Sequence, residues 1–281
     1  MGRFIALLYG VVAYLVFLVS FLYAIAFVGN VFVEKTIDAG GVAEPLGTAL
    51  LINIALLSIF AVQHSVMARP GFKEKWTKIV PQSVERSTYV LLSSLALLLL
   101  FWQWRPMIDV VWRVDGVGAT ALVSLFWAGW GLVLASTILI NHFDLFGLRQ
   151  VFLNFKQQEY THIGFRTPLF YKVVRHPLLL GFMIAFWAAP TMTQGHLAFA
   201  LITTVYMLVA IQLEERDMVG VFGDTYRQYQ KDVSMIIPVP KMGGGGDAPM
   251  VSGMDHPSVP EPGRVLTDDD EDDSPTPGAD T

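Results

Sequence analysis

The sequence predicts an all-α integral membrane protein: a helical bundle of five or six transmembrane helices with a polar pocket at its cytosolic end and a disordered C-terminal tail. Three observations carry this. The 281-residue chain is 53% hydrophobic and only 15% charged, with a mean hydropathy of +0.50, whereas a soluble domain carries roughly 25% charged residues. Its apolar residues gather in runs of membrane-spanning length, and its cations fall on alternate connections. Cysteine is absent, which excludes a disulfide framework, thiolate metal sites and a cysteine nucleophile. The formal charge of -5 hides two unlike parts: residues 241–281 sum to -8, and residues 1–240 to +3. The first is expected to be a disordered acidic tail and the second the membrane domain.

A helix needs about 20 apolar residues to cross ~30 Å of hydrocarbon. Residues 5–32 supply the first run without a single charge. It exceeds the apolar region of a signal peptide and so is expected to stay in the mature chain. Further spans are expected at 47–66, 88–104, 119–140 and 196–213. A sixth, at 178–190, is shorter and bounded by Pro177 and Pro190, so it is either a crossing or a hairpin element. Lys and Arg concentrate on cytoplasmic loops. Six crossings place fifteen of the cations up to Lys241 on one side and Lys35, Arg105 and Arg113 on the other; this predicts that both termini are cytoplasmic. After Pro240, the glycine run Gly243–Gly246 and the acidic run Asp268–Asp273 offer too little apolar surface to offset ordering entropy. No internal repeat of the transporter kind is present.

Polar residues clustered at span ends are where chemistry is expected. One cluster is Gln63-His64-Ser65 with Arg69, read either as a substrate-facing histidine or as an interfacial histidine and arginine. The basic stretch Arg69–Lys78, with Trp76, reads as an amphipathic helix on anionic headgroups. Glu85-Arg86-Ser87-Thr88-Tyr89 opens the third span, where Glu and Ser also serve as ordinary helix-start residues. Asn141-His142-Phe143-Asp144 with Arg149 closes the fourth; an end that unwinds there would let Asp144 orient His142 as a general base, and the alternative is a histidine favoured by the helix dipole. The fourth cluster combines Tyr171, Arg175, His176, Pro177 and Gly181 with Glu214-Glu215 and, beyond them, Tyr226 and Tyr229. Two carboxylates at the end of a membrane helix need compensation, by Arg175 or by a cationic ligand. A hairpin from Pro177 to Leu213 would bring His176 and Glu214 to one face.

The pattern Arg-His-Pro-x-Tyr-x-Gly, then a short apolar hairpin, then Glu-Glu-x-x-Leu-x-x-x-Phe-Gly-x-x-Tyr-x-x-Tyr resembles the integral-membrane methyltransferases typified by isoprenylcysteine carboxyl methyltransferase and the phospholipid N-methyltransferases. Here it reads Arg175 to Gly181 and Glu214 to Tyr229, with Leu179 at the tyrosine position and Met218 at the leucine position. Leu179 removes a hydroxyl and argues against a prenylcysteine or phospholipid acceptor. The runs around His64, Tyr89 and His142 make residues 1–240 similar to the bacterial methanethiol S-methyltransferases and NnrU-like membrane proteins.

That resemblance implies S-adenosylmethionine as cofactor, held around Tyr171, Arg175, His176, Pro177, Gly181, Glu214, Glu215, Tyr226 and Tyr229. It also implies a small-molecule thiol as substrate, giving dimethyl sulfide from methanethiol, in a bacterial inner membrane. Within that site Glu214 is the expected cofactor carboxylate and Glu215 the expected partner of Arg175 or Arg227. In-line transfer from an activated sulfonium needs no metal. It needs alignment and a thiolate, because a thiol is mostly protonated near neutral pH. The candidate thiol-activating residues are therefore His64, Tyr89 and His142 with Asp144, and the candidate thiolate stabilisers are Arg69, Arg86 and Arg149. Membrane lipid is the expected surrounding partner, and no nucleic-acid partner is expected. The competing expectations are an isoprenylcysteine carboxylate, which would need no base, a phospholipid amine, and a non-catalytic NnrU-like protein whose His64 and His142 ligate a haem or bind a quinone.

Overall fold

The computed structural model describes residues 2–161 and 166–238; the expected acidic tail at 241–281 lies outside them. The elements, in order, are α1 (Arg3–Gly29), α2 (Leu46–Ala68), α3 (Pro70–Trp76), α4 (Gln82–Gln103), β1 (Val110–Arg113), α5 (Gly116–Ile140), α6 (His142–Leu145), α7 (Leu148–Phe155), a 3-10 turn (Leu169–Lys172), α8 (Pro177–Trp187), β2 (Thr191–Thr193), α9 (Gln194–Phe222) and α10 (Asp224–Asp232). Five of these, α1, α2, α4, α5 and α9, are 22 to 29 residues long and apolar enough to cross a membrane. Their outward faces carry exposed side chains such as Leu8, Val19, Leu22, Trp127, Leu134 and Ile138. In water such a surface would be unfavourable, and against lipid it is the stable one.

Two helices outrun the expected spans. The third span begins at Gln82 instead of 88, and the last ends at Phe222 instead of 213. A helix does not stop where its hydropathy stops, because its backbone hydrogen bonds stay internal in either medium. The added turns of α9 are held by ion pairs from Glu215 and Asp217 to neighbouring elements. Glu214 and Glu215 are therefore inside a helix and not at its end.

The short run resolves differently from a full span. α8 has 11 residues, about 17 Å of helix, which cannot cross ~30 Å. It is continued by Ala188–Thr193, whose last three residues pair antiparallel with β1 in the α4–α5 connection, adding up to ~20 Å. α8 packs on α5 through Gly129 and Gly181: a Cβ on either would stand 2.7 Å from the other's carbonyl oxygen. The bare backbones let the helices touch, and in the antiparallel sense the segment passes from the end of α5 to its start. The chain thus traverses the bundle six times, five times as a long helix and once as a short helix with an extended continuation. Arg3 and α10 fall at the same end.

At the opposite end the backbone is tightly tied. Trp104, fully buried, donates its indole N–H to the Ile37 carbonyl at 3.0 Å, and Lys35 Nζ donates to the Trp104 carbonyl at 2.7 Å. Asn53 both donates to the Arg105 carbonyl and accepts from its N–H, at 2.8 and 2.9 Å. The candidate residues lie at the other end, which carries the α2–α4, α5–α8 and post-α9 connections.

Candidate active site

The Arg-His-Pro sequence has a local explanation. Arg175 and His176 donate their backbone N–H groups to the Ser234 and Met235 carbonyls at 2.8 and 3.1 Å. Pro177, with no N–H to offer, sits at the first position of α8, where a helix has no use for that donor. The Arg175 guanidinium clamps Glu215 through Nε at 2.6 Å and Nη2 at 3.1 Å, and it donates from Nη1 to the Gln230 carbonyl at 3.0 Å. His176 Nε2 lies 3.0 Å from Glu215 Oε1, and Gln230 donates to Glu215 Oε2 at 2.8 Å. Arg175, His176 and Glu215 side chains are all less than a tenth exposed.

This saturated network ties α8, α9 and α10 together, so Arg175 and Glu215 are already occupied by one another. Gly181 faces α5, and its missing side chain is used for helix contact. Tyr229 donates to the Tyr171 carbonyl and packs on Tyr226 with ring centroids 5.7 Å apart; both rings are buried. Of the residues expected around a cofactor, Arg175, Glu215, Gly181, Tyr226 and Tyr229 are engaged with one another or with neighbouring elements. Arg227 pairs with Asp224 at 2.7 Å and leaves Glu215 to Arg175.

Glu214 behaves otherwise. Eighteen residues separate it from His196, five full helical turns, so both lie on one stripe of α9. His196 is 2% exposed and Met207, on nearly the same stripe, 5%; the Glu214 side chain is 54% exposed. It is flanked on one side by Asp217, paired with Arg69 at 2.8 Å, and on the other by the Glu215 clamp. The inward stripe of α9 therefore opens at Glu214, between α2 and the start of α8. His176 Nδ1 lies 3.9 Å from its Oε2, as the hairpin argument expected. Burial and the Glu214 carboxylate push the Tyr171 phenol above its ordinary range, which puts Tyr171 beside the same opening.

At the same end of the bundle α2 carries Phe60, His64 and Met67 at helical spacing, and α4 carries Glu85, Arg86, Tyr89 and Ser93. The Tyr89 hydroxyl is 2.9 Å from Nε2 and 3.0 Å from Nδ1 of His64, and Ser93 Oγ is 3.2 Å from Nδ1. Phe60 stacks on the imidazole at 5.2 Å, and the Arg86 guanidinium stands 5.6 Å from the Tyr89 ring centroid. Ser65 meets Tyr206 of α9 at 3.1 Å. In α3, Phe72 and Trp76 pack onto Met67, Tyr89 and Val90.

The third cluster departs from expectation. Asn141, at φ 148°, breaks α5 and caps α6 by accepting from the Asp144 N–H at 3.2 Å. The unwinding separates the two residues instead of joining them. His142 bonds Tyr14 through Nε2 at 2.9 Å and Thr137 through Nδ1 at 3.0 Å. Asp144 pairs with Arg149 at 3.1 Å and accepts from Tyr160 at 3.2 Å. Among the described residues no carboxylate orients His142, whose pKa burial lowers. Arg149 also donates to the Thr161 carbonyl at 2.8 Å. Of the three proposed thiolate stabilisers, Arg69 and Arg149 thus have carboxylate partners, and Arg86 has none among the described residues. The Phe17–Phe146 stack, 3.8 Å between centroids, packs against the His142 ring and the Tyr89 corner alike.

Sequence reasoning missed Tyr14, Thr137, Ser93, Tyr206 and Asp217, the residues that fix the two histidines and the Arg69 corner. Tyr14 and Tyr206 carry the one signal available, a polar group inside an otherwise apolar span.

A family model described as "NnrU protein" matches residues 52–237. The chain is 57% identical over 241 residues to the methanethiol S-methyltransferase of Mycobacterium tuberculosis, covering 85% of this chain and 98% of that protein. It is 57% identical over 237 residues to methanethiol S-methyltransferase 2 of Bradyrhizobium diazoefficiens, covering 84% and 91%. Nurim of Mus musculus is 28% identical over 186 residues, 60% of this chain and 68% of its own. No solved structure matches.

Proposed function

The chain belongs to the NnrU family and, within it, to the methanethiol S-methyltransferases, and from that premise we propose that its methyl donor is S-adenosylmethionine, taken from the cytosol through the opening at Glu214. The protein is an integral membrane methyltransferase, and its reaction is the methylation of methanethiol, which yields dimethyl sulfide. The single observation that carries the donor proposal is Glu214: a carboxylate half-exposed on the inward stripe of a membrane helix, with no ion pair to an Arg or Lys among the described residues. A sulfonium or a ribose diol would supply what the carboxylate lacks. His176 and Tyr171 line the same opening, and the Arg175–Glu215 clamp holds its walls. The charge bias, fifteen cations against three, supports a cytosolic position for this end.

The bound donor supplies an activated methyl group and a thioether leaving group. The chain's own residues have to present the acceptor as a thiolate in line and keep water out. His64 with Tyr89 fits the proton transfer. Tyr89 can take the S–H proton as it passes its own to the neutral imidazole, leaving the acceptor's sulfur lone pair to form the new S–C bond while the donor's S–CH3 bond breaks. His142 has hydroxyl partners, Tyr14 and Thr137, on both its nitrogens, and Asp144, the carboxylate expected to orient it, is turned away to Arg149. The same occupancy, with His64 held by Tyr89 and Ser93, disfavours the two histidines as joint haem ligands.

Calorimetric titration of detergent-solubilised protein with S-adenosylmethionine tests the donor. Binding by the wild type and its loss in Glu214→Ala are expected, and a wild type that gives no heat refutes the proposal. Dimethyl sulfide measured in the headspace over supplied methanethiol reads the acceptor.

A further inference from the structure

Three helices converge on the Tyr89 corner, and several of their polar atoms there have no partner. The Trp76 indole nitrogen and one oxygen each of Gln63 and Glu85 are enclosed without a hydrogen bond among the described residues. Leaving such groups dry and unmet is unfavourable; the two oxygens call for a donor, and the indole N–H calls for an acceptor. Lys73 shares the inward face of α3 with Trp76, at i and i+3. Burial first, then Arg86, pushes the Lys73 ammonium below its ordinary range, with Arg69 adding to the fall and Glu85 opposing it. Among the described residues, Arg86, Glu85 and Arg69 are the charged groups that bear on Lys73. Arg69 is neutralised by Asp217. Lys73 and Arg86 then face the single carboxylate of Glu85, which leaves the corner one positive charge in excess beside the Tyr89–His64 pair.

We infer that Lys73 and Arg86, with the Trp76 N–H as donor, form an anion site that holds the methyl acceptor as its thiolate next to Tyr89. The inference deepens the proposed function and rests on its acceptor chemistry. A thiolate brings the corner to neutrality, gives the indole N–H an acceptor, and fits among Met67, Phe72 and Phe146, which supply an apolar wall for the methyl group. Two positive charges beside the sulfur lower the cost of forming its anion, so the Tyr89–His64 pair has less work to do.

The probe is thiocyanate, a linear anion. In the wild type it should compete with methanethiol and not with S-adenosylmethionine. A hydrogen bond to a charged group is worth enough that Lys73→Met should raise the methanethiol KM about tenfold or more. The same variant should weaken thiocyanate inhibition by the same factor and leave the donor Kd within about twofold. Arg86→Gln should behave likewise, and Lys73→Arg should recover most of the loss. Retained unfolding midpoints in the variants separate this from misfolding. An unchanged methanethiol KM with unchanged thiocyanate inhibition overturns the inference. So does a loss confined to donor affinity, which would mean that the cations read the donor's carboxylate. Direct calorimetric titration with thiocyanate needs no donor, so failure of the anion site and failure of the S-adenosylmethionine reading show up in separate measurements.

Discussion

Glu214 and Glu215 are adjacent in sequence, and the structure gives them opposite surroundings, one open and one sealed, so a pair of substitutions tests whether the proposed donor contact belongs to Glu214 alone. Glu215→Ala removes a carboxylate that takes two hydrogen bonds from Arg175, one from Gln230 and a contact from His176. It leaves the Arg175 guanidinium enclosed, at 8% exposure, without its counter-charge. Breaking a buried pair from one side costs about 3–5 kcal/mol, and at about 2–4 °C per kcal/mol for a domain of this size the midpoint should fall by roughly 6–20 °C. Glu214→Ala removes a half-exposed side chain whose ion-pair contact among the described residues is His176 Nδ1 at 3.9 Å, so its intrinsic midpoint should move by no more than about 2 °C. Its loss should appear only when donor is added. At a hundredfold excess over Kd a ligand stabilises by about 2.7 kcal/mol, and Glu214→Ala should lose that increment while wild type shows it. Thermal unfolding in detergent, with and without S-adenosylmethionine, reads both. Equal destabilisation by the two substitutions, or a Glu215→Ala protein as stable as wild type, would refute the division of labour.

Tyr89→Phe and His64→Asn should each slow turnover at neutral pH by about 10²–10⁴-fold, with the loss shrinking as pH rises and the free thiol ionises by itself; a pH-rate profile checks this, and a pH-independent loss counts against the relay. Gly181→Ala places a Cβ 2.7 Å from the Gly129 carbonyl, which has no side-chain rotation to give, so an unfolding midpoint lower by the equivalent of about 1–3 kcal/mol is expected. His142 has its pKa lowered by burial: the unfolded chain binds a proton at higher pH than the folded one, so stability is full above about pH 6.5 and falls as pH drops below it. Unfolding midpoints against pH should show that decline in wild type and a flatter course in His142→Asn.

How much of this was readable beforehand can be judged residue by residue. Membrane residence, the six-fold traverse and the common end of Arg3 and α10 followed from apolar run lengths and alternating cations, because both are linear properties of a chain in a bilayer. The Arg175–Glu215 partnership was also within reach, since buried charges must be compensated and few partners exist in so apolar a chain. Helix ends were not: α9 runs nine residues beyond its apolar stretch, held by partners on other helices.

The sequence by itself determined membrane residence and, there being no cysteine in the chain, that any sulfur nucleophile has to come from the substrate. It also brought the right residues to one end of the bundle. Only the tertiary structure decided which of them are free. Asp144 turns to Arg149 instead of His142, Asp217 takes Arg69, and Glu215 is sealed while its neighbour Glu214 stays open. Each of these choices depends on distances between helices far apart in the chain, where a rotation of 100° about one axis changes a catalytic group into a structural one.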